Sequence, residues 1–168
     1  MIPPNVNDVV ALRMCVSWEV DDQLHDANGH VNVRHHFDFH LQSIAALYDE
    51  LGLRTLDSPE RGTGMFMAAS HVEYYSEVVA GDMVTAHAHL LANSARSVHG
   101  ISYLVDRTSG RVANTFEFVA VNVDLATRRA VRVAAEVHDA LEREVAATAA
   151  LPWPLPVSGS LGLRTARH

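Results

Sequence analysis

The sequence predicts a single α+β domain in which an antiparallel sheet is wrapped on one long helix. Two observations lead there: one strongly periodic helical stretch, Val33 to Leu51, and a later series of extended segments joined by hairpin-length connections. No internal repeat competes with this reading, and 168 residues suit one core.

Val9 to Val20, rich in Val, Leu, Met and Trp, reads as a first strand that ends in the polar cluster Asp21, Asp22, Gln23. In the long helix Phe37, Leu41, Ile44, Ala45, Tyr48 and Leu51 recur at steps of three and four, marking a buried face, and Gly52 supplies the stop. Leu53 to Gly64, with Pro59, reads as a loop, and Met65 to Val79 as extended. Val84, Ala86, Ala88 and Leu90 alternate with Thr85, His87 and His89, which predicts a strand with one buried and one open face. Val98 to Asp106 and Val112 to Asp124 flank Arg107-Thr108-Ser109-Gly110 as a hairpin. Ala134 to Ala149 returns to helical composition with Val137, Leu141 and Val145 on one face. Thus residues 1–149 form the expected domain and 150–168, with Pro152, Pro154 and Pro156, an irregular or mobile tail.

A net charge of -7 without a basic patch argues against binding nucleic acid or an anionic membrane. All 13 basic residues are Arg, so lysine Schiff-base chemistry is excluded. Cys15 is the sole cysteine, expected as a buried small side chain, and no internal disulfide can form. The start Met1-Ile2-Pro3-Pro4-Asn5 has neither a basic nor an apolar leader region, and no apolar run is long enough to span a bilayer. A cytoplasmic location is expected.

The chemistry concentrates in His25-Asp26-Ala27-Asn28-Gly29-His30-Val31-Asn32, just ahead of the long helix. A carboxylate there is favoured in its ionised form by the helix dipole, and the free N–H groups of the first turn can hold a developing oxyanion. Asp26 or Asn28 could equally be nothing more than a helix cap. Histidines are dense nearby, and His36 and His40 at i, i+4 could share a metal, but no carboxylate third ligand follows and no metal or other cofactor is expected.

Asp26-x-x-Gly29-His30-Val31-Asn32, placed between a strand and a long helix, resembles the active-site loop of hotdog-fold acyl-CoA thioesterases of the 4-hydroxybenzoyl-CoA thioesterase type. The spacing Asp26, Asn28, His30, Asn32 is also similar to a run in acyl carrier protein thioesterases, and His71-Val72-Glu73-Tyr74 with Gly81-Asp82 resembles the family's second strand and following turn. The likeness covers roughly Val9 to Val137. It departs from the family at Val33, where a second Asn is usual, and at His36, where an aromatic is usual.

The resemblance implies Asp26 as nucleophile or general base, His30 orienting it or touching the substrate carbonyl, and Asn32 fixing the loop. A backbone N–H near His30, Val31 or Asn32 would be the oxyanion donor, with Gly29 allowing close approach. His36, His71 and Tyr74 are candidates for the acyl pocket, His36 hinting at a polar or small acyl group. Arg96, Arg128 and Arg129 are candidates for CoA phosphates. The implied substrate is an acyl-CoA or acyl carrier protein thioester; a hotdog hydratase or dehydratase, or a non-catalytic thioester binder, is the alternative. One sheet on one helix leaves a sheet face and an edge uncovered, so a homodimer or homotetramer is expected.

Overall fold

In a computed structural model, residues 2–53 and 62–163 are described. The element order is α1 (Val6–Val10), β1 (Met14–Glu19), a 3-10 turn (Asp22–Leu24), α2 (Val33–Glu50), β2 (Thr63–Tyr74), β3 (Met83–Asn93), β4 (Ser97–Asp106), β5 (Arg111–Asp124) and α3 (Ala135–Ala149). The five strands form one antiparallel sheet in the order β1-β3-β4-β5-β2, the α+β architecture of hotdog proteins. β1 runs antiparallel to β3 with Val16 opposite Ala86 and Glu19 opposite Met83. β1 and β2 are the edges.

The predicted first strand is shorter than expected. Val6–Val10 is helical because Asn5 caps it, its side chain accepting the Asn7 N–H at 2.9 Å. Helix α2 ends as expected: Gly52 takes φ +78 and Leu53 N–H reaches the Tyr48 carbonyl at 2.7 Å. Its buried face, however, is rotated from the apolar one. Phe37 and Leu41 are exposed, whereas His36, Phe39, His40, Ser43, Ile44, Leu47 and Tyr48 are buried. β3 is likewise buried on both sides, since Thr85, His87 and His89 are covered as fully as Val84 and Ala86. His87 Nδ1 lies 3.2 Å from the Leu12 carbonyl and His89 Nδ1 lies 3.2 Å from Thr148 Oγ1, so the polar side of the strand is satisfied without water. Cys15 is only partly buried. The proposed loop containing Pro59 falls largely outside the described residues, as do 164–168 of the C-terminal segment.

The elements fall into two compact units. The first comprises Met1–Ala46, Val72–Ala88 and Ser102–Phe116. Its core joins Val20, Val31, Phe39, Val78, Val84, Leu104 and Ala113, with Trp18 tilted on Phe39 at 4.7 Å. The second comprises Leu47–His71, His89–Ile101 and Glu117–His168. Here Tyr48 meets Phe118 edge-on at 6.3 Å, and α3 buries Val137 and Leu141. The described part of the segment after α3 has neither helix nor strand, yet it is anchored: Ser158 N–H donates to Glu117 Oε2 at 2.7 Å.

Gly100 sits mid-strand in β4, where an added Cβ would lie 2.5 Å from Phe118 Cζ and 2.9 Å from the His89 carbonyl oxygen. Neither a ladder carbonyl nor a packed ring can retreat freely. Gly100→Ala is therefore expected to destabilise the fold by about 1 to 3 kcal/mol in urea titration, the range for overpacking a close contact; an unchanged midpoint would contradict this packing.

Candidate active site

The loop between β1 and α2 is built from short-range turns that its own sequence encodes. Gly29 adopts φ +80, Gly29 N–H reaches the Asp26 carbonyl at 3.1 Å, and Asp26 Oδ1 accepts the Asn28 N–H at 2.8 Å. Asp26 thus caps its own turn, while Asn32 caps α2 by accepting the Arg34 N–H at 3.1 Å. The Gly81-Asp82 turn pins the loop from the other side. Val31 N–H donates to the Val78 carbonyl at 2.9 Å, and His25 Nε2 accepts the Ala80 N–H at 2.6 Å. Asp82 Oδ2 in turn accepts the Val79 N–H at 2.9 Å.

These bonds decide which N–H groups remain available. Val31 and Asn32, both candidate oxyanion donors, are committed to the Val78 and Leu24 carbonyls, because bridge pairing between His25 and Val31 aligns them that way. Gly29 N–H closes the turn on Asp26. Among the described residues, the N–H groups of His30 and of Val33, the first residue of α2, have no backbone acceptor. Of the N–H groups named from sequence, that of His30 therefore stays open, and that of Val33 joins it.

A cleft of about 510 Å³ opens beside this turn, lined by His30, Val31, Val33, His36, Tyr74, Tyr75, Ser76 and Glu77. Asp26 is not among the lining residues; its Oδ1 lies 4.0 Å from Nδ1 of His30, which is, and about a quarter of its side chain is exposed. His36 and Tyr74 meet edge-on at 5.5 Å. Of the sequence-derived candidates, His71 and Arg96 belong to the second unit and do not line the cleft; Arg128 and Arg129, also in that unit, do not either. For His71 the reason is strand geometry, since it is three residues from Tyr74 and so faces the opposite side of β2.

His36 is 4 % exposed, and its Nδ1 lies 2.6 Å from Asn114 Nδ2. The imidazole therefore has its Nδ1 engaged by Asn114. Asn114 Oδ1 lies 2.6 Å from His40 Nε2, and His40 Nδ1 lies 2.9 Å from Ser102 Oγ. His40 stacks on Phe116 at 5.2 Å and is fully buried. Three of the four ring nitrogens that sequence spacing offered to a metal are thus bonded to an amide or a hydroxyl. Tyr75, Ser76, Glu77, Ser102 and Asn114 were not singled out beforehand. No local pattern marks an Asn within a strand as a partner of helix histidines 74 and 78 positions away.

Burial lowers His36 to about 4 despite a hydrogen bond to the Val31 backbone, with His30 and His35 adding repulsion. Burial also lowers His40 to about 3, only partly opposed by Asn114. Desolvation raises Tyr74. Elsewhere, in the second unit, His99 Nε2 lies 2.8 Å from Glu117 Oε1. Burial alone would raise Glu117, but the Ser158 hydroxyl and N–H and His99 outweigh it and hold the carboxyl below its usual range. Among the described residues His138, Asp139 and Glu142 on α3 can bring three ligand atoms within 4.8 Å of one another, on an exposed surface apart from the cleft.

The sequence profile of the thioesterase-like superfamily matches residues 16–141, so the chain belongs to that superfamily and is by class a thioester hydrolase. No curated protein matches the chain in sequence. In fold it is similar to a hypothetical protein from Staphylococcus aureus solved with CoA, at TM-score 0.78 and 16% identity over 91% of this chain and 97% of that one. A DHNA-CoA thioesterase from Staphylococcus aureus superposes at TM-score 0.72 with 14% identity, covering 80% and 91% of the two chains. A 1,4-dihydroxy-2-naphthoyl-CoA thioesterase from Synechocystis does so at 0.66 with 12% identity, covering 75% and 93%. Among the described residues no helix is long and apolar enough to cross a membrane.

The two buried histidines make stability depend on pH. Each has a folded pKa below the unfolded value of 6.5, so the unfolded chain binds more protons on the acid side. Their contribution is complete above about pH 6.5 and is lost as pH falls towards 4. Urea titration is expected to show stability dropping by about 2 kcal/mol per histidine between pH 7 and pH 4.5. A flat profile across that interval would show that these rings are not held neutral.

Proposed function

We propose that the protein hydrolyses an acyl-CoA to a carboxylic acid and CoA, with Asp26 as general base. The observation that carries this reading is the union, on one pinned turn beside a cleft, of a carboxylate with uncommitted N–H groups at a helix start. Because Asp26 reaches the cleft only by way of His30, 4.0 Å away, a water between it and a thioester carbonyl suits the site better than direct attack. Asp26 takes the proton of that water as its oxygen bonds the carbonyl carbon. The resulting oxyanion is held by His30 N–H and Val33 N–H, and collapse of the tetrahedral intermediate expels the CoA thiolate. His30, next to Asp26, orients the carboxylate, and Asn32 keeps the helix start in place. The polar rim of Tyr74, Tyr75, Ser76 and Glu77 suits a small or polar acyl group. CoA as the carrier is supported by the Staphylococcus aureus fold neighbour solved with it.

Asp26→Asn is expected to keep the turn, since the amide oxygen still accepts the Asn28 N–H, but to remove the base. Free-thiol release from a panel of acyl-CoAs should fall by at least about a hundredfold while circular dichroism stays unchanged. Retention of most of the rate would leave Asp26 a turn residue only. Enoyl-CoA hydration without thiol release, followed by absorbance, would instead favour the hydratase reading.

The same reading includes a homodimer. Edge strand β2 exposes Phe66, Met67 and Tyr74, and Tyr74 also lines the cleft, so a second copy along this edge would cover apolar surface and finish the cleft wall. Light scattering is expected to give at least twice the chain mass at micromolar concentration, and Phe66→Glu to weaken the assembly. A wild-type monomer would contradict this arrangement.

A further inference from the structure

Ser102 on β4, His40 on α2, Asn114 on β5 and His36 on α2 form an unbroken buried chain, and its last member lines the cleft together with His30, Val31 and Val33. We propose that Asn114 is a positioning residue for thioester hydrolysis, acting through His36 to fix the cleft wall beside the His30 and Val33 N–H groups. The proposal rests on the acyl-CoA thioesterase reading above.

Donor and acceptor roles follow from what each end can do. Asn114 Nδ2 lies 2.6 Å from His36 Nδ1, and an amide nitrogen only donates. His36 Nδ1 is therefore bare and accepts, and the hydrogen of the neutral ring sits on Nε2. Asn114 Oδ1 is left to accept from His40 Nε2–H, and His40 Nδ1 to accept from the Ser102 hydroxyl. Every group donates once in the same direction, towards the loop. An amide is the one uncharged side chain of this size that can both accept from one ring and donate to the other. Around His36 stand Tyr74 from β2, Phe39 from its own helix, and His30 and His35, so no carboxylate is among the groups that set its proton. Burial keeps both rings neutral at ordinary pH, which the chain requires, because a doubly protonated His36 would have no acceptor for its second hydrogen but Asn114's amide nitrogen.

Two measurements test this. Ring ¹⁵N NMR of the wild-type protein at pH 7 is expected to find His36 neutral with its hydrogen on Nε2 and His40 likewise; a hydrogen on His36 Nδ1 would overturn the proposal. Asn114→Asp keeps the shape but replaces the donor with an acceptor. It should move the His36 hydrogen to Nδ1 or add a second proton, shift the acid limb of the pH–rate profile to higher pH, and lower kcat about ten- to a hundredfold with KM within about twofold. Unchanged kcat and pH profile in a folded Asn114→Asp protein would also overturn it. The NMR result does not depend on activity, so a protein without thioesterase activity would remove the catalytic reading while leaving the assigned hydrogen-bond direction to stand or fall by itself.

Discussion

The hydrogen bond from Val31 N–H to the Val78 carbonyl is the constraint on which the site depends. Both residues are fully or almost fully buried, so this bond is shielded from competing water and is expensive to leave unmade. It joins the turn after β1 to the turn before β3, and His25 with Ala80 repeats the tie a few residues away. With Val31 and Asn32 both spent on structure, the helix start presents only the N–H groups on either side of them. The loop is held by its own donors, and in the proposed reaction this is what lets the remaining donors meet charge that appears only as it proceeds.

The second principle of this fold is the use of histidine as a core residue. Along α2 the buried positions carry His36, His40 and Ser43 as well as Phe39 and Leu47, and along β3 they carry His87 and His89. Each imidazole has a built partner: Asn114 for His36, Asn114 and Ser102 for His40, Leu12 and Thr85 for His87, Thr148 for His89. Satisfied polar groups add directional constraint that aliphatic packing lacks, while a single lost partner leaves an unpaired buried atom. The arrangement also ties the fold to neutral and alkaline pH.

That same feature explains where the sequence could and could not be read. The α+β class, the order of elements, the span of α2 and its Gly52 stop follow from period, composition and turn residues that act locally. The rotation of α2 does not. Phe37 and Leu41 look like core and His36 and His40 like surface until the strand partners Asn114 and Ser102 are known, and those are more than sixty positions away. Helix α1 escaped notice because the Asn5 cap outweighs the β-branched composition of Val6, Val9 and Val10. The turn from Asp26 to Asn32 was legible as a turn ahead of a helix, since Asp26, Gly29 and Asn32 act on neighbouring backbone. Which of its N–H groups stay open was legible only for His30, because the commitment of Val31 and Asn32 to the Val78 and Leu24 carbonyls depends on the fold.

In the proposed reaction the turn from Asp26 to Val33 is the reacting centre. A crystal structure with a non-hydrolysable thioether or ketone analogue of an acyl-CoA tests this most directly. The carbonyl oxygen, or its equivalent, is expected within about 3 Å of the His30 or Val33 N–H, with a water between the carbonyl carbon and the Asp26 carboxylate. An analogue bound with its carbonyl away from this turn, against the second unit or elsewhere on the chain, would contradict it.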